Sequence, residues 1–155
     1  AIDRLVACLG VSSEGRVHTK ALEILSCLVV LTDKPVIEAA LRKGSRGGTR
    51  WASQLLGMLK SSSDASTCTH VMKLLNTLVA CTDNKTALLQ ELALGGATEA
   101  LAAIEPLAAN NAELSTQCAS FTEQKRIADG GEPEPTAAPA TPDKPPEPAP
   151  APAAP

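Results

Sequence analysis

EGRVHTKALEILSCLVVLTD, residues 14–33, and DASTCTHVMKLLNTLVACTD, residues 64–83, are two copies of one segment set 50 positions apart. Without a gap, Leu5, Leu9, Ser12, Ser13, Leu25, Leu28, Val29, Thr32 and Asp33 recur as Leu55, Leu59, Ser62, Ser63, Leu75, Leu78, Val79, Thr82 and Asp83. Glu14 becomes Asp64, Ile24 becomes Leu74 and Leu22 becomes Met72. A repeat of this length marks a helical solenoid, whose units cannot bury an apolar face alone and must stack on a neighbour. Such proteins act by presenting an extended surface to a partner.

Within residues 14–32, Val17, Ala21, Ile24, Leu25, Leu28 and Leu31 follow the i, i+3, i+4, i+7 spacing of one helical face. Val71, Leu74, Leu75, Leu78 and Cys81 repeat it in residues 64–82. Ser13 and Ser63 stand where an N-cap belongs, and Glu14 and Asp64 put negative charge at the positive end of the helix dipole. The spacing therefore predicts two long helices, with Leu25 and Leu75 in the core.

A shorter helix is expected before each, at 1–9 and 49–60, and another after each, at about 35–43 and 85–94. Pro35 suits a first helical turn, where its missing N–H would be unpaired anyway. Gly44–Gly48 and Gly95–Gly96 supply C-terminal stops. A third, weaker unit begins at Gly96. There Ile104 and Leu107 stand in for Leu55 and Met58, Pro106 is expected to kink or end its helix, and a last helix is expected over 112–128 around Leu114, Cys118, Phe121 and Ile127. The polar content of that helix suits a terminal cap. Ten of the twelve prolines follow residue 132, so residues 130–155 read as a disordered, polyproline-rich tail behind a folded domain of residues 1–129.

Composition narrows the function classes. Trp51 and Phe121 are the only aromatic residues, so the core must be built from Leu, Ala, Val, Ile and Cys, which favours helix packing over a sheet sandwich. The net charge of −3 hides an asymmetry: residues 1–60 carry nine basic and five acidic side chains, residues 61–155 five and twelve. No basic stripe with interleaved aromatics appears, and nucleic acid is not an expected partner. No apolar run approaches the roughly 18 residues of a membrane span and no signal-peptide pattern opens the chain, so no membrane is expected either. The five cysteines contain no CxxC pair, and an odd number does not fit a closed disulfide framework; a reducing, cytoplasmic setting is expected. The chain opens inside a repeat and without Met, which raises the expectation of a fragment or a processed product.

Three helices per unit with a glycine-ended turn resemble the armadillo repeat. The resemblance rests on GGTRWASQLLGML, VMKLLNTLVACTDNKTALLQELALGG and the following GGATEALAAI, and covers about residues 1–109. It implies a right-handed α-solenoid of about two and a half armadillo-like repeats. The spacing of 50 exceeds the usual unit of roughly 42, with the excess placed in the Gly-rich turn and the third helix. In peptide-binding armadillo proteins the long helix carries an asparagine that grips a peptide backbone. Here its equivalents are Cys27 and Thr77, while Asn76 lies about 100° away around the helix, and Trp51 falls in the wrong helix for peptide stacking. The resemblance therefore implies a divergent scaffold rather than a nuclear-import-type receptor.

Two surfaces stand out as candidate contact sites. On the long helices Lys20, Glu23 and Cys27, with the equivalents His70, Lys73 and Thr77, flank the apolar stripe and are expected on a concave face, which Arg16 extends. Around the glycine turn, Arg42, Lys43, Arg46 and Arg50 form a basic cluster suited to an acidic partner or phosphate, although GSRGG lacks the G-K-[ST] ending of a phosphate loop. The bland reading of both is a solvated face. Cys68 and His70 are two apart and do not share a helical face, so no metal site is expected. His18 and His70 adjoin no recognisable nucleophile motif, and no cofactor is implied. In the tail, Pro139, Pro142, Pro145 and Pro148 create P-x-x-P spacings that an SH3-type module can read, a pattern that also arises by chance in Pro-Ala sequence.

The expected function is that of a non-catalytic scaffold or adaptor contacting another protein or a larger assembly along its long helices. An Hsp70- or myosin-type co-chaperone with an armadillo-like fold is the alternative, and a small enzyme with an unrecognised site the alternative from another class.

Overall fold

The structure, a computed structural model, describes residues 2–10, 15–31, 35–36, 38–40 and 50–131. Seven helices are described in full: α1 (Ile2–Gly10), α2 (Gly15–Leu31), α3 (Arg50–Ser61), α4 (Ala65–Cys81), α5 (Lys85–Leu94), α6 (Ala97–Ala108) and α7 (Ala112–Ala128). Residues 35–36 and 38–40 are also helical, and no strand occurs among the described residues. The chain is all-α. The expected Ser13 cap, the Gly44–Gly48 turn and the tail beyond residue 131 lie outside the described residues.

The helices lie in two rows. In one, α4 packs between α2 and α7; in the other, α3 packs between α1 and α6. Polar contacts give the direction of the long row. Thr19 Oγ1 lies 3.4 Å from Thr67 Oγ1, Lys73 pairs with Glu113, and Asn76 bonds Gln117. Because contacts from α4 to α7 advance together along both helices, those two run the same way. Their shared core includes Leu22, Leu25, Leu55, Leu59, Leu75, Leu92, Ile104 and Leu114.

Position in the row decides burial. The central helix α4 is enclosed on several sides, with Val71, Leu74, Leu75 and Leu78 buried as expected and Thr67, Cys68, Met72, Asn76 and Val79 buried as well. The outer helix α2 has a neighbour on one side only, and here the expected stripe is corrected. Ala21 and Leu25 are buried, joined by Leu22 and Val29, whereas Val17, Ile24 and Leu31 face outward. Ile127 of α7 is likewise exposed, while Leu114 and Phe121 carry the burial of that helix.

Helix ends follow the short polar side chains. Asp64, not Ser63, caps α4: its carboxylate accepts from Ser66 N at 3.3 Å, Thr67 N at 3.0 Å and the Thr67 hydroxyl at 2.7 Å. Two carboxylate oxygens serve two orphan amides at once, which one hydroxyl cannot do. Asn84 and Asn111 cap α5 and α7 through Ala87 N and Leu114 N. Between α5 and α6 the chain turns at Gly96, whose φ of 94° is the left-handed region that glycine enters without steric cost.

Pro106 does not end α6 where it stands. The helix continues to Ala108, because a proline in the last turn removes only one of the few remaining amide bonds. The Pro106 carbonyl also accepts from Asn110 Nδ2 at 3.2 Å, which closes that end.

Candidate functional site

Three parallel solvent strips, one from each long helix, meet along the exposed side of the α2–α4–α7 row. Their charges are interleaved. Lys20 Nζ on α2 pairs with Glu23 one turn on, at 2.7 Å. Lys73 on α4 pairs with Glu113 on α7. The Glu23 carboxyl is held below its ordinary value first by the hydrogen bond and charge of Lys20, and further by His70 and Lys73 on the neighbouring helix. Glu113 is lowered by Lys73 and then by His70. The two basic residues of α4 therefore lie in the field of a carboxylate from each flanking helix, as a negative–positive–negative row across the face. Pairs this exposed contribute little stability. Their weight is in the charge pattern offered to solvent.

Beside this row lies a groove of about 500 Å³ whose lining is mostly apolar, reached by Cys27, Val30 and Leu31 of α2, Lys73 and Thr77 of α4 and Gln117 of α7. Cys27 and Leu31 are exposed, and Thr77 returns its hydroxyl to the Lys73 carbonyl at 2.7 Å, so its methyl is the part left for contact. His70 Nδ1 lies 2.7 Å from the Ser66 carbonyl, which only accepts, so the ring donates there.

The structure thus brings Lys20, Glu23, Cys27, His70, Lys73 and Thr77 to one face of the α2–α4 pair. Arg16 is exposed one turn before Lys20. The basic cluster is different: Arg42, Lys43, Arg46 and the Arg50 side chain lie outside the described residues. Sequence reasoning missed Glu113 and Gln117 because it treated α7 only as a polar cap. Their signal was present in its helical spacing, but the third long helix begins 47 residues after the second, not 50, and the gapless repeat does not reach it.

Asn76 is not free to hold a ligand. Buried between α4 and α7, its Nδ2 donates to the main-chain and side-chain carbonyls of Gln117, both at 2.9 Å, and its Oδ1 accepts from Gln124 Nε2 at 3.3 Å. Trp51 is buried in α3, with Nε1 donating to Glu91 Oε1 at 2.7 Å.

The five cysteines are all unpaired as disulfides. Burial pushes the thiols of Cys68 and Cys118 up, away from the reactive thiolate. Among the described residues no three His, Cys, Asp or Glu side chains converge as a metal site, and no single helix is long and apolar enough to cross a membrane. Together α5 and α6 have the length and apolarity of a span, but they are bent by 77° and their Leu88, Leu92, Ala100 and Ile104 are core residues. Comparison with known proteins finds no matching family model, no matching curated protein and no matching solved structure.

Proposed function

We propose that this chain is a non-catalytic protein-interaction module, an armadillo-like scaffold or adaptor that holds a partner along the exposed face of its long helices in a reducing, cytoplasmic setting. The observation that carries the reading is the groove at Cys27, Leu31 and Thr77 lying beside an alternating charge row. An apolar trough gives a partner surface to bury, and the row of Glu23, His70, Lys73 and Glu113 gives it a register to match. The two rows of helices and the 50-residue repeat support an α-solenoid of armadillo type, in which the long helices of successive units form one binding face. Commitment of Asn76 to Gln117 argues for side-chain complementarity over backbone gripping of an extended peptide.

Cross-linking mass spectrometry on native extract tests this. With a photoreactive residue at position 27 or 77, one partner should link from both positions. The links should disappear in the Glu23→Lys, Lys73→Glu double variant while its far-ultraviolet circular dichroism stays unchanged. Links that survive the reversal, or that arise only from positions off this face, reject the reading.

A further inference from the structure

The repeat makes each position of α2 comparable with one in α4, and one comparison exposes an unfilled seat. Val17, Ile24 and Leu31 correspond to Thr67, Leu74 and Cys81. On α4 this edge is turned toward α2: Thr67 meets Thr19 of α2, Leu74 is 0% exposed, and Cys81 is partly buried. On α2 the same edge is open, with Val17 44%, Ile24 45% and Leu31 81% exposed. The pattern extends into the other row. Ile2 and Leu5 of α1 are only partly buried, whereas their equivalents Ala52 and Leu55 are in the core. Positions i, i+7 and i+14 form one continuous stripe along a helix.

We propose that this stripe is a docking site for an amphipathic α-helix of a partner protein, seated parallel to α2 as α2 is seated on α4. The occupant is defined by what fills the equivalent seat. Toward α4, α2 carries the buried aliphatic residues Leu22 and Val29 with the small polar residue Thr19. A partner helix of the same chemistry, aliphatic at i and i+7 with small polar residues between, would cover Val17, Ile24 and Leu31. A second copy stacked head to tail does not supply it, because the outward residues of α7 include Ser115, Thr116, Thr122, Lys125 and Arg126. Placing those on an aliphatic stripe would strip water from charges and hydroxyls without partners.

The test uses the full chain and a capped, fluorescent peptide of residues 15–31 with Cys27→Ser, the α2 sequence itself, followed by anisotropy. Saturable one-to-one binding is expected. Ile24→Asp in the chain should weaken it by roughly tenfold or more, the weight of one buried aliphatic side chain. Lys73→Glu, on the groove face, should leave it unchanged, so failure of this proposal and failure of the groove reading are told apart. Circular dichroism melts check that Ile24→Asp still folds, and Leu31→Asp replaces it if it does not. Absence of saturation overturns the proposal. So does binding that survives Ile24→Asp, since the peptide would then be displacing α2 from α4 or binding elsewhere. Sedimentation equilibrium showing a dimer of the chain that Ile24→Asp dissolves would also overturn it, by making a second copy the occupant.

Discussion

Asn76 and Gln117 hold α4 and α7 together through two hydrogen bonds from one amide, each 2.9 Å, one to the main chain and one to the side chain. With Gln124 donating back at 3.3 Å, the amide is fastened at both ends. A buried polar group is inexpensive only while its partners stay in place.

Replacing Asn76 with Asp therefore removes a donor and turns a carboxylate toward two carbonyl oxygens. Thermal melts should show a loss of about 1–3 kcal/mol for Asn76→Ala. Asn76→Asp should be worse near neutral pH and should recover part of its deficit in acid, where the carboxyl regains a proton. Equal melting of Asn76→Ala and the parent would show that the clamp carries no weight.

Leu74 and Ile24 are repeat equivalents in opposite environments. Leu74→Ala, and Leu75→Ala beside it, should cost about 2–5 kcal/mol, as for a leucine cut back inside a packed core. Ile24→Ala should stay within about 0.5 kcal/mol, as at other surface sites. Urea denaturation of the three variants reads the contrast, and similar losses at 24 and 74 would mean that α2 is covered on both sides.

Asp64 ties the start of α4 to acid stability. Its carboxyl is held below its ordinary value by the Thr67 hydroxyl, then by the amides of Thr67 and Ser66 and the charge of His70. A carboxyl whose pKa is lower folded than unfolded stabilises fully above the unfolded value of about 3.9, and that contribution fades as pH falls through the folded value. Asp64→Ala should cost about 1 kcal/mol at neutral pH. The gap between parent and variant should narrow as melts are repeated toward pH 3; a gap constant with pH would contradict the carboxylate's role.

Trp51 is the only tryptophan, so its fluorescence reports one place, the contact of α3 with α5. Blue-shifted emission and low access to acrylamide are expected. Glu91→Ala removes the acceptor of the indole N–H and should cost about 1–3 kcal/mol, since that group is then buried without a partner. Emission at the wavelength of exposed tryptophan would show that α5 does not cover it.

Much of the candidate face was legible because helical geometry is local. Lys20, Glu23 and Cys27, and His70, Lys73 and Thr77, share a side of their helices by angle alone. The part contributed by α7 was not, since Glu113 and Gln117 join it only through packing and stand outside the 50-residue register. The cap was misplaced by one residue for a related reason: Ser63 and Asp64 are both good caps in isolation, and the direction of the chain at α4 selects the carboxylate.

By itself the sequence determined where the helices are and that Leu25 and Leu75 are core, because 3.6-residue periodicity, short polar caps and glycine stops act within a few residues of chain. Only the tertiary structure decided which apolar face of each helix is dry. Ile24 and Leu74 satisfy the same pattern, yet one is exposed and the other is not, because burial depends on whether a neighbouring helix lies alongside, and that is a property of the assembled rows.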